Sequence, residues 1–283
     1  MNRIELFLQR GSLILLVSAL LAVNLPAQQL PESPLVRKER IDAERLWEQM
    51  IKVRGGREKL HSISNMVLTK GNKADDIQMQ FYVYPDKYWG WGKGSIAGHN
   101  WIDVTMANLE RGWFFSAGRT GLTTEKRGLN AETGATFLES YLAESCAFLL
   151  ETRWLRPTPV RVSRKTVGKE QFDVIETRFP SLKVLKDWRK DFYVEPESLV
   201  VRAVASYSEK GNMYAYYSFD RYKNTNGIET PIRFAASIIE TVPKASTFIP
   251  LRFDFNIDYD PGLFERIPSE EAGPDAWKPK SRS

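Results

Sequence analysis

From Asp191 to Phe234 the chain places an apolar side chain at almost every second residue, through Phe192 and Val194, then Leu199, Val201, Ala203, Ala205 and Tyr207, then Met213, Ala215, Tyr217 and Phe219. Successive residues of a strand point to opposite sides, so this period gives each strand one apolar face. The positions between, among them Asp191, Tyr193, Arg202, Ser206, Tyr214 and Asp220, are polar or amphipathic. Turn chemistry marks the breaks. Glu195-Pro196-Glu197-Ser198, Glu209-Lys210-Gly211-Asn212 and Asn226-Gly227 supply the proline, glycine and asparagine of tight reversals. Such a stretch folds as an antiparallel meander with one covered side.

The N-terminus reads differently. Arg3 and Arg10 precede an apolar run from Gly11 to Leu25, closed by Pro26 and Ala27. Residues 1–27 therefore read as a secretory signal peptide, with an uncleaved anchor as the alternative. Cleavage would leave an exported, periplasmic protein that is not integral to the membrane. The net charge of +5 is spread along the chain. No basic cluster tracks a nucleic-acid backbone, so no nucleic-acid partner is expected. With Cys146 as the single cysteine, the exported fold has no internal disulfide and depends on burial. Eight Trp, eleven Tyr and fifteen Phe supply the area to bury.

A first helix is predicted from about Val36 to Arg54, with Ala43, Leu46, Trp47, Met50 and Ile51 on one stripe and Gly55-Gly56 as its stop. A first meander follows, clearest where Ile77, Met79, Phe81 and Val83 alternate with Gln78, Gln80, Tyr82 and Tyr84. Between Tyr88 and Phe115 the aromatic residues crowd, split by turns expected at Gly92 to Gly98 and at Arg111-Gly112. A second helix, capped by Asn130, carries Phe137, Leu138, Tyr141, Leu142, Cys146, Leu149 and Leu150 to about Trp154. Strands then resume to Ile257. The expectation is α+β: nine to eleven strands in one curved antiparallel sheet over residues 28–268, an unclosed half-barrel with both helices over its concave side, then a disordered polar tail at 269–283.

Chemical motifs are weak. His61 and His99 lack partners at ligand spacing and read as surface or turn residues. Cys146 falls on an apolar stripe and reads as a buried, inert thiol. Gly92 to Gly98 lacks the spacing of a phosphate loop, so no nucleotide or other cofactor is expected. Asp254, Asn256, Asp258, Asp260 and Glu265 partly match a calcium loop, but Tyr259 stands where glycine is needed, and a strand with its polar face outward is the reading. Asp103, Glu176 and Lys190 interrupt apolar strands, and parity alone leaves them pointing either outward or into the trough.

The helix AERLWEQMIKVRGGREKL, the strand and turn DFYVEPESLVVR, the hairpin FDRYKNTNGIETPIRF and the closing FDFNIDYDPGLFERIP resemble the LolA/LolB-like superfamily of outer membrane lipoprotein-sorting proteins over about residues 38–268. The resemblance implies an unclosed barrel whose helix-covered apolar side holds acyl chains. A non-enzymatic periplasmic carrier of a lipid or lipoprotein acyl chain is expected, the alternative being an envelope sensor that binds a protein partner through the same fold. By strand parity the candidate lining residues are Met79, Phe81, Trp101, Trp113, Phe172, Val174, Phe192, Val201, Tyr217 and Phe234.

Overall fold

Alternating polarity and turn residues yield thirteen strands joined in one antiparallel sheet in the computed structural model, which describes residues 34–73, 76–96, 99–110, 112–117, 125–129, 131–267 and 273–279. They are β1 (Asn65–Lys73), β2 (Asp76–Val83), β3 (Lys87–Ile96), β4 (His99–Asn108), β5 (Gly112–Ala117), β6 (Glu125–Leu129), β7 (Thr158–Val167), β8 (Glu170–Arg178), β9 (Arg189–Val194), β10 (Val201–Tyr207), β11 (Met213–Thr225), β12 (Ile228–Ser237) and β13 (Ile249–Phe255). The spatial order runs from β6 down to β1, then β13 down to β7. Two meanders thus meet at a seam where β13 pairs with β1, Met66 opposite Phe255, and more briefly with β12, Phe234 opposite Ile249. Strands β6 and β7 are the unpaired edges, so the curved sheet is a half-barrel, as expected.

Among the described residues three α-helices accompany the sheet: α1 (Pro34–Arg54), α2 (Arg57–His61) and α3 (Ala131–Leu149). Topology dictates where α3 goes. Strands β6 and β7 are consecutive in the chain but lie at opposite edges, so the connection must cross the sheet. Nineteen helical residues span about 28 Å, and α3 makes the crossing on the concave side. Helix α1 lies on the same side along β7 and β8, so two long helices cover the concavity. Helix α1 stops where predicted. Gly55 and Gly56 have φ of +124° and +92°, and a Cβ on Gly55 would lie 2.3 Å from the Gly227 carbonyl oxygen. Only glycine lets the helix end meet the β11–β12 turn so closely.

Three expectations need correction. Helix α3 ends at Leu149, short of Trp154, because Leu150 takes φ +72° and Thr152 and Leu155 close a turn through each other's backbone and hydroxyl groups. The run from Gly92 is strand, not turn, up to Ile96. The tail, where described, is packed: Asp260 N–H donates to the Trp277 carbonyl at 2.9 Å, and the Trp277 ring lies 6.1 Å from that of Phe81. Residues 1–27 and Asn130 lie outside the described residues. No described helix is long and apolar enough to cross a membrane.

Candidate functional site

The concave side divides at the middle of α3. Beneath its C-terminal half, Phe148 is wholly buried, with its ring 5.7–6.5 Å from those of Phe219, Phe253, Tyr217 and Phe234. Helix α1 adds Ala43, Trp47, Met50 and Ile51, and Trp47 meets Phe192 edge-on at 5.0 Å. Each such side chain contributes about 1.5–3 kcal/mol by leaving water. This half is a filled core.

The other half is looser. Phe137 and Tyr141 of α3 are only partly covered, whereas Cys146 to Leu150 are buried. Beneath them β3 presents Gly90, Gly92 and Gly94 on alternate positions. A Cβ would come within 3.2 Å of the Trp101 ring from Gly92 and within 2.6 Å from Gly94. Glycine here lets the indole of Trp101, across from Gly94 on β4, lie flat on the strand. That is why a glycine-rich run extends as strand instead of turning. Between this floor and Tyr141 lies a cavity of about 40 Å³, bordered also by Gln80, Tyr88, Asp103 and Thr105. Tyr141 stacks on Tyr88 with centroids 3.7 Å apart, and Asp103 accepts from the Ser116 hydroxyl at 2.6 Å.

Charges sit where the halves meet. Glu144 of α3 accepts from Lys70 Nζ at 2.8 Å and from Gln80 and Tyr217 at 3.4 Å. Lys70 Nζ also lies 5.4 Å from the centres of the Phe148 and Phe234 rings. Farther along the trough, Lys190 donates to Ser206 Oγ at 2.6 Å. Burial pushes the Lys190 amine down to about 8, against the upward pull of Glu144 and Cys146. Burial likewise pushes the Cys146 thiol up to about 12 and holds the hydroxyls of Tyr82, Tyr88, Tyr141 and Tyr217 neutral. Near the middle of α3, the Glu139 carboxylate accepts from the backbone N–H groups of Lys183, Val184 and Leu185 at 2.8–2.9 Å, tying the first half of the helix to that loop.

Past the inner end of α3, Glu151 accepts from Arg57 Nε at 2.7 Å and lies 2.7 Å from His61 Nε2. Burial would raise this carboxyl, but those bonds win and hold it below the usual carboxylate range. His61, expected at the surface, instead helps pin α2 to the end of α3. The calcium-like acidic run is spent otherwise. Asn256 Oδ1 accepts from Ser64 N at 2.7 Å, Asp254 pairs with Arg252, and Asp260 caps the turn at Gly262.

The ten candidate residues separate into three groups. Phe192, Val201 and Phe234 belong to the concave core, Tyr217 packs against it, and Trp101 lies on the cavity floor. Met79 and Phe81 instead join a cluster on the outer face, under Tyr259, Phe264 and Trp277, and Trp113 packs there too. Met79 also borders the cavity. Phe172 and Val174 lie on the outer face of the other meander with Tyr193 and Tyr216. For Met79, Phe81 and Trp113 the face is the outer one, which the C-terminal segment covers; Phe172 and Val174 also face outward. The concave side of β2 carries Gln78, Gln80 and Tyr82. Sequence reasoning missed this polar layer; its signals were those alternate glutamines and Glu144, a carboxylate on an apolar stretch of helix.

Of the charges left open by parity, Lys190 points into the trough and Asp103 onto its cavity. Glu176 faces outward, within 2.9–3.8 Å of Arg161, Arg178 and Arg189.

No protein-family profile matches the sequence, and no curated protein does. Among the solved structures similar to it are a DUF1329 family protein from Desulfovibrio piger (9% identity, 78% of this chain and 96% of that one, TM-score 0.35), a domain assigned as an outer membrane lipoprotein-sorting protein from Vibrio parahaemolyticus (10%, 80% and 97%, TM-score 0.37) and a LolA superfamily protein from Nitrosomonas europaea (10%, 78% and 96%, TM-score 0.35). The open antiparallel sheet with helices across its concavity is the α+β arrangement expected from the sequence.

Proposed function

We propose that this chain is a periplasmic carrier that takes a lipid or lipoprotein acyl chain beneath the first half of α3. The observation that carries the reading is the unequal seating of that helix: locked at Phe148, but resting at Tyr141 over a cavity and a glycine floor. In the closed form the cavity of about 40 Å³ holds no acyl chain. Cargo enters when the bonds from the Lys183, Val184 and Leu185 backbone to Glu139 release, the first half of α3 lifts about its buried end and Trp101 leaves the floor, uncovering a strip of β3 without side chains. The role is binding rather than catalysis. The Cys146 thiol is protonated at neutral pH, and the Lys190 amine is enclosed against Ser206.

Native mass spectrometry of the protein from a bacterial periplasm, with lipid identification in an organic extract, tests this. A discrete lipid adduct is expected, lost in Trp101→Asp and kept in Phe81→Leu, because Phe81 lies on the far face. A protein that stays apo after incubation with lipids overturns the carrier and leaves the sensor reading.

A further inference from the structure

A second hollow lies elsewhere, on the outer face of the second meander. Ala203, Ser218 and Ala235 stand opposite one another on β10, β11 and β12. Three small side chains in register across three adjacent strands leave a depression that neighbouring aromatic residues do not fill. Phe172 and Tyr216 wall it, and residues Thr241 to Phe248 arch over it with Val242 and Phe248. Arg233 secures this arch by donating to the Ala245 carbonyl at 2.7 Å, with its guanidinium 5.5 Å from the Phe248 ring centre. The hollow is open to solvent and holds about 360 Å³, within the range of small-molecule sites.

One polar group is left over. Ser218 is 4% exposed and its hydroxyl has no hydrogen-bond partner. With under 1 Å² of surface of its own, that oxygen is closed off from the hollow and contributes a small floor, not a bond. The mouth carries Glu170, Glu195 and Asp220 against one lining cation, Arg202. Arg202 pairs with Glu195 at 3.2 Å and Arg233 with Asp220 at 3.1 Å, while Glu170 is exposed with no ion-pair partner among the described residues.

We propose that this hollow binds a small amphipathic amine. Its apolar body lies between Phe172, Tyr216 and Val242 over the small side chains of Ala203 and Ser218, and its ammonium group faces Glu170. The site is separate from the trough and does not depend on the carrier reading.

The test is a titration of the full mature chain, methyl-labelled at alanine and valine, with 4-phenylbutylamine, 4-phenylbutanol and 4-phenylbutanoate, followed by NMR. Saturable shifts of the Ala203, Val242 and Ala245 methyls by the amine are expected, with the carboxylate at least about tenfold weaker because it meets an acidic mouth. Glu170→Gln should weaken the amine about threefold, as befits an exposed charge, and leave the alcohol unchanged. Ala203→Met should fill the hollow and abolish the shifts; if it does not fold, Ser218→Val serves the same purpose. The proposal falls if those methyls do not respond, if amine and carboxylate bind equally, if a folded filling variant binds as before, or if the shifts appear instead at Ala143 and Ala147 in the trough.

Discussion

The two ends of α3 rest on the same sheet and are held in opposite ways. At Phe148 the contact is aromatic and dry; at Tyr141 it is one stacked ring pair over glycines, with amide, carboxylate and hydroxyl groups around a cavity. Close packing makes a region respond as a unit, whereas a seat with few buried apolar contacts opens at low free energy. One helix can therefore be both a fixed part of the core and a movable cover. The Lys70–Glu144 pair marks the boundary.

Breaking the tight end should have the largest effect. Phe148→Ala is expected to cost about 3–5 kcal/mol in urea unfolding, because four rings close on the vacated volume. A loss below about 1 kcal/mol would erase the contrast between the ends, being the size of an ordinary substitution. Next comes the boundary. Glu144→Leu leaves the Lys70 ammonium, 6% exposed, without its carboxylate, and should cost about 3 kcal/mol. Adding Lys70→Met should recover most of that loss, and a double-mutant cycle checks the coupling.

Lys190→Met should act in the other direction. The folded amine titrates near 8, against 10.5 in the unfolded chain, so between these values the unfolded state binds more protons and wild-type stability rises with pH. The burial penalty is complete below about pH 8 and gone above about pH 10.5. Allowing for the lost bond to Ser206, the methionine variant should gain about 2 kcal/mol at pH 7 and show no such slope in denaturation across this window. The smallest effect belongs to the loose end. Tyr141→Ala should cost only about 1 kcal/mol, the worth of its stack, yet it should speed amide exchange in the first half of α3 and leave the second half protected.

Much of this was legible in the sequence. The period-two runs gave strands β8 to β12, and the stripe through Ala43, Trp47 and Ile51 gave α1 with its glycine stop. Strand β3 runs past the turn expected from Gly92, since glycine marks a turn in isolation and loses that meaning when a tryptophan from the next strand covers it. The face assignment failed at Met79 and Phe81 for a related reason. Period two separates the sides of a strand without saying which is covered, and here both are. The polar layer of Gln80, Tyr82 and Glu144 was hidden because its members come from separate elements and meet only after α3 has crossed the sheet.

The seam at β13 sets the order of folding. Met66 pairs with Phe255 across most of the described chain, and no other strand joins the two meanders. During synthesis β1 to β6 and α3 emerge long before that partner exists, so the first meander waits with its β1 edge unpaired and its apolar faces bare. Contacts this distant in sequence form slowly, because a long loop must close before the pairing contributes. Until β13 arrives, the β1 edge is open to strands of other chains. That edge is therefore the chain's point of exposure to mispairing until its own last strand reaches the first.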